Sequence, residues 1–269
     1  FIPGIVKGIG FVINVFTKED EKVIIQPPVY HPFRLTPEGN RREVVMNPLI
    51  ENADGSYSMD FDNLAKVADS KCRVLILSNP HNPAGIVWDV DTLRRLADFC
   101  YERGIIVISD EIHSDLIMPG HKHVAFANAC KDALPKYLVC TAPSKTFNLA
   151  GLQISNIFIP NEKLRKAFQT EIDKTGYDEP NALGIVACEA AYRAGEDWLD
   201  QLRAYLLQNL NFLREYLQEK IPQIHLVEPE GTYLVWLDCS QLGITGKELD
   251  QFIVDKAGLW LDGGSMFGP

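Results

Sequence analysis

The 269-residue sequence has no run approaching the roughly 18 apolar residues that mark a membrane-spanning helix, which speaks against a membrane protein. It also lacks an excess of positive charge, since 26 basic against 36 acidic residues leave a formal −10. Affinity for nucleic acid rests on Lys and Arg neutralising phosphates, so a general nucleic-acid binder is excluded. No CxxC pair occurs and no cysteine has a His at zinc-ligand spacing, so no metal site and no disulfide framework are expected. Cys100 and Cys140 sit within apolar runs, where a free thiol behaves as a small hydrophobe. The expectation is reduced cysteines in a cytoplasmic protein. Repeats and low-complexity tracts are lacking too. The opening FIPGIVKGIG has neither a basic leader nor a secretory cleavage site, and GSMFGP at the other end closes no element. The chain is expected to be an internal stretch of a longer polypeptide, truncated at both ends.

What is present is an ordinary globular composition, 46% hydrophobic and 23% charged, enough for a sizeable core. IVKGIGFVINVFT reads as a helix and KVIIQ as a short strand. After a polar stretch, RVLILS (73–78) is a continuous Val, Ile and Leu run, as in a strand buried on both faces. Residues 89–103 space Leu93, Leu96, Ala97, Phe99 and Cys100 helically, with Gly104 as the C-cap. IIVIS (105–109), YLVCT (137–141) and QISNIFI (153–159) read as further strands. Strands alternating with helices predict βαβ units and a mostly parallel sheet between helical layers. Residues 161–220 read as nearly all helical, broken near 176–180 and at Gly195, and Pro222 stops the long amphipathic stretch 196–220. GTYLVWLDC (231–239) then reads as a strand, GKELDQFIVDKAG as a helix and LWLD (259–262) as another strand. The domain reading is a large α/β unit, 1–205, followed by a small α+β unit, 206–269.

Ligands of open parallel sheets bind outside the carboxyl ends of the strands. RVLILS is followed by NPHNPAG with Asn82, IIVIS by DEIH with Asp110 and His113, and YLVCT by APSKTFN with Ser144 and Lys145. Singly, each has an ordinary explanation. Asn82 between prolines is also a turn residue, Asp110 a helix N-cap, and Lys145 a surface lysine. Together, an amide, an acid and an amine at successive strand ends match the needs of pyridoxal phosphate catalysis. A sheltered lysine has a lowered pKa and forms a Schiff base with the cofactor aldehyde. A carboxylate keeps the ring nitrogen protonated, so that the ring acts as an electron sink. An amide hydrogen-bonds the ring oxygen, and a helix start holds the phosphate. Gly4, Ile5 and Val6, which open the first helix, and the Ser144 hydroxyl are the candidates for that last task.

NPHNPAG, SDEIH and APSKTFNLAGLQ in this order resemble the class I/II aminotransferase family of pyridoxal-phosphate enzymes, and more narrowly its cystathionine β-lyase (carbon–sulfur lyase) branch. The resemblance runs from GIV at the start to FGP at the end. It implies the aspartate aminotransferase-like fold (fold type I) and pyridoxal 5'-phosphate as cofactor. It also implies a small-molecule amino-acid substrate and a homodimer. By the same resemblance Lys145 is the Schiff-base lysine and proton shuttle, Asp110 the partner of the ring nitrogen, and Asn82 the ligand of the ring oxygen. Tyr30, in QPPVYHPF, matches the aromatic that stacks on the ring, although it is otherwise an ordinary loop tyrosine. Two positions depart from the better-known transaminases. His113 stands in place of a Tyr near the ring oxygen and is also readable as a strand-end histidine satisfied by backbone. Gln153 stands in place of a phosphate-binding arginine. The arginine that binds the substrate carboxylate is expected beyond FGP. The implied reaction is β-elimination on cystathionine or another S-substituted cysteine. Transamination is one alternative, and a regulatory binding protein that retains the fold is another. HKH (121–123) reads as a surface loop, and Glu19, Asp20 and Glu21 as a solvated turn.

Overall fold

The computed structural model describes residues 1–130, 136–177 and 179–268. Residue 178, inside the break expected near 176–180, and Pro269, at the end of the small unit, lie outside the described residues. Among those described, the strands are β1 (Lys22–Ile25), β2 (Glu43–Met46), β3 (Ile50–Glu51), β4 (Tyr57–Ser58), β5 (Cys72–Ser78), β6 (Ile106–Asp110), β7 (Tyr137–Thr141), β8 (Asn156–Phe158), β9 (His225–Val227) and β10 (Trp236–Asp238). The α-helices are α1 (Ile5–Phe16), α2 (Pro32–Gly39), α3 (Phe61–Val67), α4 (Val90–Arg103), α5 (Phe126–Ala129), α6 (Pro143–Thr146), α7 (Glu162–Lys174), α8 (Ala182–Ala194), α9 (Glu196–Lys220) and α10 (Gly246–Phe252).

The main sheet runs β2-β1-β5-β6-β7-β8, parallel except for β8. Its strands lack polar alternation because both faces are covered. Along β5, Val74 and Ile76 enter one apolar cluster while Leu75 and Leu77 enter the other. Strand β7 divides likewise, Leu138 and Cys140 to one side and Tyr137 and Val139 to the other. Helices α1 and α7 close the first face with Ile9, Ile13 and Phe168, and α4 closes the second with Leu93, Leu96 and Cys100. Each fully buried Leu or Ile is worth about 1.5–3 kcal/mol of transfer free energy. Helix α4 starts where Asp89 Oδ1 accepts from the Thr92 N–H at 2.7 Å. It ends at Gly104, whose φ of 70° is left-handed, a conformation glycine takes without Cβ strain. No disulfide joins any of the described cysteines, and no helix of the described residues is long and apolar enough to cross a membrane.

Several sequence readings shift. Strand β8 keeps only three residues of QISNIFI and runs antiparallel, because Gln153 turns left-handed at φ 52° and Ser155 instead pairs with Ile2. Only Trp236–Asp238 of GTYLVWLDC is a strand, paired with β9. Thr232, at φ 70°, breaks the extended run before it. LWLD forms no strand, since its backbone meets no neighbouring ladder, and Trp260 stands 88% exposed. The polar stretch hid β2, the β3–β4 hairpin, α2 and α3. The boundary read between 205 and 206 lies within the long helix expected over 196–220, which is α9. Beyond that point Leu210 and Leu217 pack on Leu226 in a small cluster of their own.

Candidate active site

The strand order reverses between β1 and β5: β2 lies to one side, and β6 and β7 to the other. Such a switch point opens a crevice at the carboxyl edge. The loops that leave these two strands meet there, where the Tyr30 N–H donates to the Asn82 carbonyl at 3.1 Å. Asn82 is held from its other side as well, its N–H donating to Ser78 Oγ at 3.0 Å. One strand further on, the Asn79 N–H donates to the Asp110 carbonyl at 2.9 Å. Register then aligns Ser78 with Asp110 and Asp110 with Cys140, so the tails of β5, β6 and β7 share one rim.

On that rim Asp110 is buried and no helix follows it, so it caps none. Its Oδ1 accepts from the Ile112 N–H at 3.2 Å. Burial pushes the carboxyl up to about 7, the Glu111 charge adds to the rise, and the Ile112 bond and the Lys145 charge oppose it. Lys145 lies half-buried in α6, immediately after β7. Its charge also reaches His113, which burial first and Lys145 second push down to about 4. His113 is therefore neutral at physiological pH. Among the described residues neither of its ring nitrogens has a hydrogen-bond partner, so no described backbone group satisfies this histidine. Asp110, His113 and Lys145 form one electrostatic group, while Asn82 and Tyr30 are joined to each other on the adjacent loops.

Gly4 is the N-cap of α1 and makes no side-chain cap bond, and the first turn holds no acidic residue. The start of α1 is tied beside β8 by paired bonds between Ile2 and Ser155, 3.0 and 2.9 Å. Ile5 is buried and Val6 exposed. Ser144 is half-buried one residue before Lys145, and Gln153 is exposed.

Sequence reasoning missed three neighbours of this group. The Tyr233 ring packs 5.4 Å from that of His113, across 120 residues with no sequence signal to link them. Thr146 Oγ1 donates to Asp115 Oδ2 at 2.8 Å. Glu111 is buried and collects Ser109 Oγ (2.9 Å), the Phe126 N–H (2.8 Å) and His123 Nε2 (2.9 Å). HKH is a loop with His121 and Lys122 exposed, as read, and only His123 departs from that reading, because Glu111 draws its ring inward. Glu19 and Asp20 are exposed in the expected turn, which the Glu21 N–H closes on the Lys18 carbonyl at 3.0 Å, while the Glu21 side chain accepts from Arg73 Nε at 2.7 Å.

An α/β fold whose successive parallel strands end, along one carboxyl rim, in segments that carry an amide, an acid and an amine is that of an enzyme whose chemistry sits at the sheet's rim. The chain belongs to the class I and II aminotransferase family, whose model matches residues 1–268, and its fold is the aspartate aminotransferase-like one. It is 41% identical to the cystathionine β-lyase PatB of Bacillus subtilis over 270 residues, covering 100% of this chain and 70% of that protein. It is similar to the crystal structure of cystalysin from Treponema denticola, which contains pyridoxal 5'-phosphate (TM-score 0.96, 35% identity, 99% of this chain and 68% of that one). A second similar structure is the PLP-bound C–S lyase from Staphylococcus hominis (TM-score 0.93, 36% identity, 100% and 68%).

Proposed function

We propose that this chain carries the active site of a pyridoxal-phosphate-dependent carbon–sulfur lyase. It cleaves cystathionine or a similar S-substituted cysteine to pyruvate, ammonia and a thiol. The observation behind this reading is the buried Asp110 carboxyl under the influence of Lys145 at the next strand end, in a chain so similar to a cystathionine β-lyase.

The residues fit the cofactor. A carboxyl held near 7 by burial gains strongly from a cationic ring nitrogen against it. Asn82 Oδ1 and both His113 nitrogens are buried without partners among the described residues, so they are disposed to bind a polar ring substituent. The N–H groups at the uncapped start of α1 suit a phosphate, and a Cβ added at Gly4 would meet nothing within 4 Å, which leaves room for one. Ser144 offers a hydroxyl, and Tyr30 a ring face.

When bound, pyridoxal phosphate supplies an aldehyde for the substrate amine and a ring that withdraws electrons from Cα. Lys145 Nζ takes the Cα proton. Ionised Asp110 steadies positive charge on the far side of the site. Neutral His113 orients without adding a second cation beside Lys145. Loss of the proton expels the thiolate from Cβ, and one water completes the balance: thioether and water give thiol, pyruvate and ammonia.

The assembly proposed is a homodimer, supported by the exposed apolar side chains of Leu183, Val186 and Trp260. The proposed compartment is the cytoplasm, in keeping with described cysteines that form no disulfide. Two units, 1–205 and 206–269, are proposed on the separate Leu210–Leu217–Leu226 cluster. The test is to give the loaded enzyme cystathionine and no oxo acid. Sustained pyruvate release, with borohydride fixing the cofactor to Lys145, is expected. A single stoichiometric turnover that leaves the cofactor aminated would refute the lyase reading.

A further inference from the structure

Lys145 sits in a helix of only four residues, too short to hold its own direction, so its aim must come from what that helix touches. The next residue, Thr146, is fully buried. Its hydroxyl donates to Asp115 Oδ2 at 2.8 Å. Asp115 closes the turn that carries Asp110 and His113, within which the Ser114 N–H donates to the Glu111 carbonyl and the Leu116 N–H to the His113 carbonyl. The Asp115 carbonyl is in turn clasped by Arg203 of α9, through Nε at 2.9 Å and Nη2 at 2.6 Å. Arg203 Nη1 rests on Asp200 Oδ1 at 2.9 Å. The lysine-bearing helix, the Asp110–His113 turn and the long helix are thus tied through one aspartate.

We propose that Thr146 and Asp115 are positioning residues, whose hydrogen bond sets the reach of Lys145 Nζ toward the atom from which it takes a proton. Neither touches the reacting atoms in this scheme, and the inference rests on the lyase reading above. A buried hydroxyl aimed at a carboxylate makes a charge-assisted bond of defined direction. Small misplacements of a catalytic group cost rate steeply, while binding of a substrate held by other groups is spared.

The test uses the loaded full-length enzyme and four variants. Thr146→Val removes the hydroxyl at nearly constant shape, and Asp115→Ala removes the acceptor. Each is expected to lower kcat by roughly 10-fold or more with KM changed by less than about 3-fold. Each should also lower the fraction of bound cofactor that borohydride fixes to Lys145. Thr146→Ser, which restores the hydroxyl, is expected to recover both. In the double variant Thr146→Val/Asp115→Ala the losses are expected not to add, because both changes break one bond. Wild-type kcat and trapped fraction in Thr146→Val would overturn the inference, as would full additivity. If the parent enzyme itself shows no adduct at Lys145, the lyase reading fails instead, so the two failures are distinguishable.

Discussion

Replacing Asp110 by Asn should make the cofactor-free protein more stable at neutral and basic pH while disabling the enzyme. Burial raises the carboxyl from 3.8 to about 7. At about 1.36 kcal/mol per pH unit, ionising it in the folded state costs about 4 kcal/mol. Between pH 4 and 7 the folded chain binds more protons here than the unfolded chain, so this group's contribution falls as pH rises and is lost above 7. Two buried histidines act in the opposite sense. His113 and His81 are pushed from 6.5 down to about 4. Their contribution is complete above 6.5 and is lost as pH falls toward 4. The wild-type profile therefore mixes opposing slopes, and the difference between variant and wild type isolates Asp110. Thermal unfolding of both cofactor-free proteins from pH 4 to 8 is the assay. The variant should gain on the wild type by on the order of 10 °C across that range, taking about 2–4 °C per kcal/mol for a chain of this size. Cofactor should shrink the difference, since a cationic ring nitrogen repays the ionised Asp110 and not the amide. Turnover should drop roughly 100-fold, the worth of a charge-assisted bond. A melting difference flat from pH 4 to 8 would refute the reasoning.

Other consequences are as open to measurement. Leu75→Ala, at a fully buried point of β5, should cost about 2–5 kcal/mol by chemical denaturation, and a loss under 1 would mean the site collapses freely. Gly85→Ala places a Cβ 2.9 Å from the Pro229 Cα at a φ of 71°. It should destabilise by about 1–3 kcal/mol and weaken the loop holding Asn82, read as a higher cofactor dissociation constant. Glu111→Ala strands Ser109, Phe126 N–H and His123 at once and should cost about 3–5 kcal/mol in unfolding experiments. A neutral result there would mean that water replaces the carboxylate.

The sheet was legible because burial on both faces removes polar alternation, and RVLILS, IIVIS and YLVCT carry that mark openly. Helix α4 was legible from its spacing and its Gly104 stop. The four residues of β2 at the sheet edge, half-buried or exposed, gave too short a signal. LWLD had strand-like residues and no partner, and strand propensity without a ladder makes no strand. The Asn82, Asp110 and Lys145 positions could be found because each follows a readable strand. Tyr233, Asp115 and Glu111 could not, since their roles depend on contacts made by tertiary packing. For His123 the spacing rules for metals said nothing, and only the buried carboxylate opposite explains its orientation.

The segment 229–232 is sewn into the rim from two sides. The Glu230 and Gly231 N–H groups both donate to the Gly85 carbonyl at 2.9 Å, the Met118 N–H to the Glu230 carbonyl at 2.9 Å, and the Thr232 N–H to the Leu116 carbonyl at 2.6 Å. Arg203 clasps Asp115 on the neighbouring turn. Beyond Thr232 the Trp236 indole donates to the Tyr57 hydroxyl at 3.3 Å, and the Phe267 carbonyl accepts from the Val29 N–H at 2.8 Å. Tyr233 leaves this stitching directly after Thr232, so the placement of its ring against His113 is inherited from the 229–232 segment.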